Sequence, residues 1–88
     1  MFYVYVLHSE KDGKLYTDFR NDLKNRIKCH EQGKVASTKD RRPVKQIYYE
    51  AYLLEDDAKS RELFLKSGSG KKFLRKQLAN YFAENLWK

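Results

Sequence analysis

The run FYVYVL at positions 2–7 constrains the fold most, because β-branched and aromatic residues fill it without a polar interruption. A strand that is apolar on both faces is covered on both sides, so we expect it in the centre of a sheet. Asp12-Gly13 is a typical pair for a two-residue hairpin turn, and LYTDF at 15–19 then returns as a second strand. The first part of the chain therefore predicts an antiparallel hairpin.

The register of this hairpin decides which side chains share a face of the sheet. A two-residue turn places Tyr16 opposite Ser9. The same turn places Asp18 opposite Leu7. Because side chains alternate along a strand, Tyr5 then joins Tyr16 and Asp18 on one face, and a slip by one residue would separate them. Tyrosines are also common packing residues of strands, so both interpretations stay open here.

The rest of the chain alternates helical and extended patterns. This order, β-β-α-β-α-α, predicts an α+β domain with a small three-stranded antiparallel sheet flanked by helices, as one domain over residues 1–88. Gly68 matches the capping preference at the end of the second helix. The expected elements after the hairpin are a helix over 22–31 with Asn21 as its N-cap, an exposed loop over 34–45, a strand over 44–53 and helices over 55–67 and 71–84.

Length and composition describe one small globular domain. Eighty-eight residues, 41% of them hydrophobic, suffice for one core. Cys29 is the single cysteine, so it has no disulfide partner and no companion thiols for zinc, which fits a reducing compartment. We see neither a signal peptide nor an apolar run of the ~20 residues that span a membrane, and we expect a cytoplasmic protein without a membrane partner.

The charge balance favours a polyanionic partner. Nineteen Lys and Arg against 12 Asp and Glu produce a net charge of +7. On so small a surface this favours nucleic acid, although a basic surface also serves solubility. Each of the cations expected to contact phosphates is, taken alone, more typical of a solvated surface charge. They lie in the loop and in the last helix: Lys34, Lys39, Arg41, Arg42, Lys71, Lys72, Arg75 and Lys76.

Arg26 and His30 lie one turn apart on the first predicted helix. Together they present a guanidinium and an imidazole on one helix face, an arrangement suited to a phosphate group. The alternative is an ordinary surface ion pair between Arg26 and Asp22, which is worth a few tenths of a kcal/mol.

Glu62 is a charged residue inside the apolar stripe of the second predicted helix. Leu54, Ala58 and Leu65 recur around it at helical spacing. A carboxylate that faces a core is paired, protonated or bound to a metal ion. The alternative is that Glu62 lies at the edge of the stripe and pairs with a basic neighbour such as Lys66.

Two tyrosine motifs of the hairpin resemble those of the GIY-YIG nuclease superfamily. This domain also occurs in the excision-repair nuclease, in some homing endonucleases and in branched-DNA endonucleases. YVYVL at 3–7 resembles the first motif, with Tyr5 as its tyrosine. YTD at 16–18 resembles the second motif, with Tyr16 as its tyrosine.

The later segments extend this resemblance over roughly residues 2–78. NDLKNRI at 21–27 is similar to the helix that carries the catalytic arginine of the family, here Arg26. The segment 47–74 is similar to the later part of small stand-alone members, and it places the metal-binding glutamate at Glu62. Each motif is short, but the ordered set at these separations is specific.

The resemblance implies hydrolysis of DNA phosphodiester bonds with one divalent metal ion, Mg²⁺ or Mn²⁺. By this resemblance Glu62 holds the metal ion, which stabilises the leaving oxygen, and Arg26 neutralises charge on the phosphate. Tyr5 or Tyr16 activates the attacking water with help from His30. Because a free tyrosine has a pKa of about 10, this activation needs a nearby cation. The implied partner is nucleic acid, with DNA favoured over RNA.

Asp18 departs from the family pattern, because it replaces the glycine of the second motif. Three interpretations are open. In the first, Asp18 accepts hydrogen bonds from backbone NH groups as a turn or cap residue. In the second, it repels the phosphate by about 1–4 kcal/mol at effective dielectrics of about 80 to 20, and Arg20 partly offsets this repulsion. In the third, it binds the metal ion beside Glu62. If repulsion dominates, we expect Asp18→Gly to increase cleavage.

Two functions therefore compete. The first is a metal-dependent DNA nuclease that acts through Tyr5, Tyr16, Arg26 and Glu62. The second is a non-catalytic nucleic-acid-binding module that keeps the fold but has lost turnover. The sequence carries no zinc finger or helix-turn-helix, so in either case we expect selectivity for flaps, branches or ends rather than for base sequence.

Overall fold

The computed structural model describes residues 1–87. Its strands and helices follow the predicted α+β order, which is thereby confirmed. Within residues 1–87 no helix is long and apolar enough to cross a membrane. The elements are β1 Phe2–Ser9, β2 Leu15–Arg20, α1 Leu23–Glu31, a short 3-10 helix Lys39–Arg41, β3 Val44–Tyr52, α2 Glu55–Lys66, α3 Gly68–Gln77 and α4 Ala79–Glu84.

Strand β1 is central, as predicted, and pairs in antiparallel orientation with β2 on one side and β3 on the other. On one face of the sheet Val4 and Val6 pack against Ala58 and Leu65 of α2 and Leu74 of α3, and this cluster forms the hydrophobic core. The β1 residues that alternate with Val4 and Val6 point to the opposite face of the sheet, because side chains alternate along a strand. Helix α1 covers that second face, so both faces of β1 are buried.

The hairpin turn is longer than the predicted two residues. The Ser9 hydroxyl accepts hydrogen bonds from the backbone NH groups of Lys11 and Asp12, and the Ser9 carbonyl accepts one from the Gly13 NH. Gly13 adopts a φ of 72°, a conformation that glycine tolerates without steric cost. The two-residue turn is therefore wrong, because the Ser9 side chain organises a wider loop.

The register of β1 and β2 shifts accordingly. Tyr16 pairs with Leu7 instead of Ser9. Asp18 pairs with Tyr5 instead of Leu7. Since this shift is an even number of residues, it preserves the alternation of faces, and Tyr5, Tyr16 and Asp18 still share one face.

Two predictions around α1 are wrong. Asp22 rather than Asn21 occupies the N-cap position of α1, and no side chain caps that end of the helix. The stretch 34–45 is not uniformly exposed, because Val35 and Thr38 are buried. Contacts with α1 draw this stretch inward, which its polar composition does not signal.

The C-terminal helices also differ from the predicted ones. Gly68 does not cap α2; it opens α3, and Ser67 both ends α2 and accepts a hydrogen bond from the Gly70 NH. The single helix expected over 71–84 is two helices that meet at Leu78, whose φ of −110° and ψ of 34° interrupt the helical geometry.

Gly70 allows α3 to approach the end of α2. A Cβ at this position would lie 1.9 Å from the Phe64 carbonyl oxygen and 2.4 Å from Leu65 Cα, both of them backbone atoms. We therefore expect Gly70→Ala to lower the free energy of unfolding by about 1–3 kcal/mol, measured by urea denaturation. Gly68→Ala is the control, because its Cβ would meet nothing within 4 Å, and it should not lower the stability. Equal losses in the two variants would contradict the close approach.

Candidate active site

Five of the predicted site residues meet on the face of the sheet that α1 covers. Tyr5 on β1 and Tyr16 and Asp18 on β2 lie on this face. Helix α1 places Arg26 and His30 above them, one turn apart. The His30 ring lies edge-on to the rings of Tyr5 and Tyr16, with centroids 5.7 Å and 5.2 Å away. The structure thus brings together the two tyrosines, the arginine and the histidine.

Tyr5, His30 and Thr38 form a buried chain of polar groups. The Tyr5 hydroxyl lies 2.8 Å from His30 Nε2, and His30 Nδ1 lies 2.7 Å from Thr38 Oγ1. A neutral imidazole has one donor and one acceptor nitrogen, so both contacts are satisfied together. Burial and, after it, the charge of Arg26 lower the pKa of His30 to about 4, so the ring is neutral at pH 7.

Tyr5 is fully buried at the inner end of the site. Burial raises the pKa of Tyr5 above its usual range, and the hydrogen bond with Arg26 offsets only part of that effect. The Tyr5 phenol is therefore protonated near neutral pH. Tyr16 is only half-buried and lies nearer the surface of the same face.

The buried His30 should make the stability of the protein depend on pH. Unfolding exposes the ring and returns its pKa to about 6.5, so between that pH and about 4 the unfolded state binds a proton that the folded state does not. Stability is full above the unfolded pKa and falls as the pH decreases. We expect a loss of about 2 kcal/mol between about pH 7 and pH 5 in urea denaturation. A loss of the same size in His30→Gln would show that His30 is not its source.

Arg26 supplies a free hydrogen-bond donor to the site. Its Nε is buried and has no hydrogen-bond partner within residues 1–87, while its NH2 lies 4.0 Å from Asp18 Oδ2. Burial lowers the pKa of Arg26, but the hydrogen bond with Tyr5 and the proximity of Tyr16 and Asp18 raise it overall. The guanidinium is therefore charged, and it pairs with Asp18 rather than with Asp22.

Glu62 reaches the same site from α2. Its side chain is 12% exposed, and it accepts a hydrogen bond from Lys66 Nζ at 3.3 Å. Burial and a hydrogen bond with the Asp18 carboxyl raise the pKa of Glu62, and the Lys66 ammonium offsets part of this. Glu62 therefore pairs with a basic neighbour, Lys66, as the second interpretation predicts, and metal binding at Glu62 stays a prediction. Leu54, which the stripe places on the buried side, is instead 60% exposed.

The two oxygens of Asp18 have different surroundings. Oδ1 accepts a hydrogen bond from the Phe19 backbone NH at 2.8 Å, which confirms for this oxygen the contact with a backbone NH. Oδ2 accepts one from the Tyr16 hydroxyl at 3.3 Å, and it lies 3.6 Å from Arg20 and 4.0 Å from Arg26. The Asp18 carboxyl group therefore lies next to the cationic side chains of the site, Arg20 and Arg26. Its effect on phosphate and on metal stays a prediction.

The pair of Asp18 and Glu62 suits a hydrated divalent cation. The pKa of Glu62 is raised first by burial and then by its interaction with the Asp18 carboxyl, so the two carboxyl groups are close neighbours. Mg²⁺ is commonly bound through one or two carboxylates and retains several waters. Within residues 1–87 no group of three or more His, Cys, Asp or Glu residues is placed to hold a metal ion. The available donors thus fit an ion that keeps most of its water.

The basic residues predicted to contact phosphates are spread over the surface, and some have partners within the protein. Arg41 pairs with Asp12 at 2.9 Å, and Arg42 donates to a backbone carbonyl. Arg75 lies over the Trp87 ring, with its guanidinium carbon 4.2 Å from the centroid. The others are exposed: Lys34, Lys39, Lys71, Lys72 and Lys76.

Thr38 is a residue of the site that sequence reasoning missed. It is fully buried against His30, although it lies in a stretch that reads as a polar loop. Val35, an isolated apolar residue three positions earlier, is the one signal in the sequence that this stretch folds inward.

The three-stranded antiparallel sheet and its helices agree with the fold that the GIY-YIG resemblance implies. The sequence profile of the GIY-YIG catalytic domain matches residues 1–77, and the chain belongs to the GIY-YIG family. GIY-YIG nucleases act on nucleic acid, which supports a nucleic-acid partner.

Small bacterial relatives extend the match. The chain is 45% identical over 67 residues to a UPF0213 protein of Clostridium perfringens, covering 75% of this chain and 71% of the relative. It is 39% identical over 74 residues to a UPF0213 protein of Staphylococcus saprophyticus, covering 83% of this chain and 89% of the relative. No solved structure matches the chain at a significant level.

Proposed function

We propose that this protein is a divalent-metal-dependent nuclease that hydrolyses DNA phosphodiester bonds and selects DNA by shape rather than by base sequence. The observation that carries the proposal is the convergence of Tyr16, Arg26 and Glu62, from three different elements, on one half-open site. Packing of a core needs none of these three polar groups at that place.

Arg26 is suited to bind the scissile phosphate. Its buried Nε lacks a hydrogen-bond partner within the described residues, and a buried donor without an acceptor costs about 1–3 kcal/mol. A phosphate oxygen would satisfy this donor, and the guanidinium would neutralise the charge that develops during hydrolysis.

Tyr16 is the better candidate to accept a proton from the attacking water. It is half-buried and therefore reachable, whereas Tyr5 is fully buried and its hydroxyl is hydrogen-bonded to His30. The Arg26 guanidinium also lies close to Tyr16. Tyr5 and His30 then act as positioning residues that hold Arg26 and the floor of the site.

Glu62 is the residue that would hold the metal ion. When bound, such an ion supplies positive charge that stabilises the leaving oxygen. Lys66 holds the Glu62 carboxylate in place from the adjacent turn of α2, so the ligand is already oriented.

A non-catalytic nucleic-acid-binding module is the second candidate function. The observation that favours it is the position of Asp18 Oδ2, which lies 4.0 Å from Arg26 and 3.6 Å from Arg20. A carboxylate there competes with the phosphate for both cations, so the chain would bind DNA through its basic surface without productive contact at Arg26.

Cleavage assays distinguish the two candidates. The purified protein is incubated with supercoiled plasmid, branched DNA and single-stranded DNA in Mg²⁺, in Mn²⁺ and in EDTA. The nuclease should nick or cut at least one substrate with either metal and none in EDTA. DNA binding without cleavage of any substrate, at protein concentrations that saturate the DNA, would instead establish the binding module.

A further inference from the structure

A groove opens beside the candidate active site, between the edge of β2 and the helices α2 and α3. Its volume is about 520 Å³. Tyr16 lines the groove and also belongs to the site, and Lys66, another lining residue, pairs with Glu62. The groove is therefore continuous with the site rather than separate from it.

The charge of this groove is of one sign. Lys14, Lys66 and Lys71 line it, and among residues 1–87 no acidic residue does. Lys14 and Lys71 are exposed, and neither forms an ion pair with a carboxylate within residues 1–87. Two free ammonium groups next to a phosphodiester site suit the backbone phosphates that flank the scissile bond.

The wall opposite β2 is apolar and comes partly from the end of the chain. Leu65 and Trp87 line the groove. Trp87 stacks on Phe82 with centroids 4.9 Å apart, and Arg75 covers its ring at 4.2 Å. The indole is thus held by contacts within the chain, so Trp87 serves as a fixed wall.

His8 holds this C-terminal segment against the sheet. Its Nδ1 lies 2.6 Å from the Tyr81 hydroxyl, and its Nε2 lies 3.1 Å from the carbonyl oxygen of Leu86. The family profile ends at residue 77, so the segment that completes the groove lies beyond the matched domain. Trp87, which completes the groove, therefore lies outside the matched residues.

We propose that this groove binds a nucleotide of single-stranded DNA adjacent to the scissile bond, with its phosphates at Lys14 and Lys71 and its base against the Leu65–Trp87 wall. A duplex shows mainly phosphates and sugars on its outside, so it has no free base to cover an apolar wall, whereas a single strand has one. The proposal rests on the proposed function, because it makes the groove the path by which a flap or a free end leaves the site.

Binding in EDTA tests the groove independently of cleavage. A fluorescein-labelled single-stranded 12-mer and the duplex of the same sequence are titrated by anisotropy with wild type and with Lys14→Gln/Lys71→Gln. We expect the double variant to bind the single strand at least about tenfold more weakly. Its slope of log K against log salt should be lower by about 1.4, which corresponds to two phosphate contacts. Lys24→Gln/Lys28→Gln is the matched control, because it removes the same charge from a different groove between α1 and β3.

Trp87 provides a second readout, since it is the single tryptophan of the chain. Its fluorescence should change when the unlabelled 12-mer binds to wild type, and this change should be absent in Lys14→Gln/Lys71→Gln at the same oligonucleotide concentration. Equal weakening in the groove variant and the control, equal weakening for single strand and duplex, or unchanged Trp87 fluorescence at saturation would each overturn the proposal. Absent cleavage together with the expected binding results would overturn the nuclease and leave the groove assignment standing.

Discussion

Glu62→Gln should reduce metal-dependent DNA cleavage by at least about a hundredfold, because charge stabilisation by a bound metal ion is worth several kcal/mol in the transition state. Glutamine has nearly the same shape as glutamate but lacks the negative charge that a divalent cation requires. The Glu62 side chain contacts Lys66 and Asp18 at the margin of the sheet and is absent from the hydrophobic core cluster, so the fold should persist. Initial rates of plasmid nicking in Mg²⁺ and in Mn²⁺ measure the effect.

Glu55→Gln is the matched control for this variant. Glu55 lies on the same helix and pairs with Lys59 at 3.3 Å, the same distance and the same spacing along the helix as Glu62 with Lys66. Glu55→Gln therefore removes the same charge and an ion pair of the same spacing from the same helix, away from the site. If Glu62→Gln cleaves as fast as Glu55→Gln, Glu62 is not the metal ligand and the nuclease assignment loses its metal site.

The shared face of Tyr5, Tyr16 and Asp18 could be predicted from the sequence even though the hairpin turn was predicted incorrectly. The turn at Ser9 is wider than the Asp12-Gly13 signal indicates, and Asp18 faces Tyr5 instead of Leu7. Because the error is even, every side chain remains on its predicted face. Alternation in a strand thus predicts which residues share a face more reliably than which residues lie opposite each other.

Features that depend on contacts between distant segments were missed for a physical reason. Thr38 is buried because its hydroxyl meets His30, and no local pattern encodes a contact between a loop and a helix. Gly70 resembles a loop glycine in sequence, but the structure uses it for close approach of α3 to the backbone of Phe64. In both cases the deciding partner lies outside the window in which propensity and periodicity act.

Asp18→Asn should increase cleavage about fivefold to tenfold at saturating Mg²⁺, since one removed charge near the scissile phosphate is worth about 1 kcal/mol or more at high effective dielectric. The change keeps the shape of the side chain and the acceptor for the Phe19 NH, while it frees Arg20 and Arg26 from a competing carboxylate. Asp18→Gly should act in the same direction, although it also loses the hydrogen bond to Phe19. Initial rates on single-stranded DNA measure the effect.

Asp22→Asn separates this local effect from a general gain in positive charge. Asp22 is exposed at the start of α1, and its carboxylate accepts a hydrogen bond from the Asn25 side chain. Its replacement by asparagine removes the same negative charge without changing the contacts of the Arg26 side chain. An increase of equal size in both variants would assign the gain to net charge alone, and an unchanged or lower rate in Asp18→Asn would exclude repulsion. Should the rate fall and then recover at higher Mg²⁺, Asp18 is a metal ligand beside Glu62.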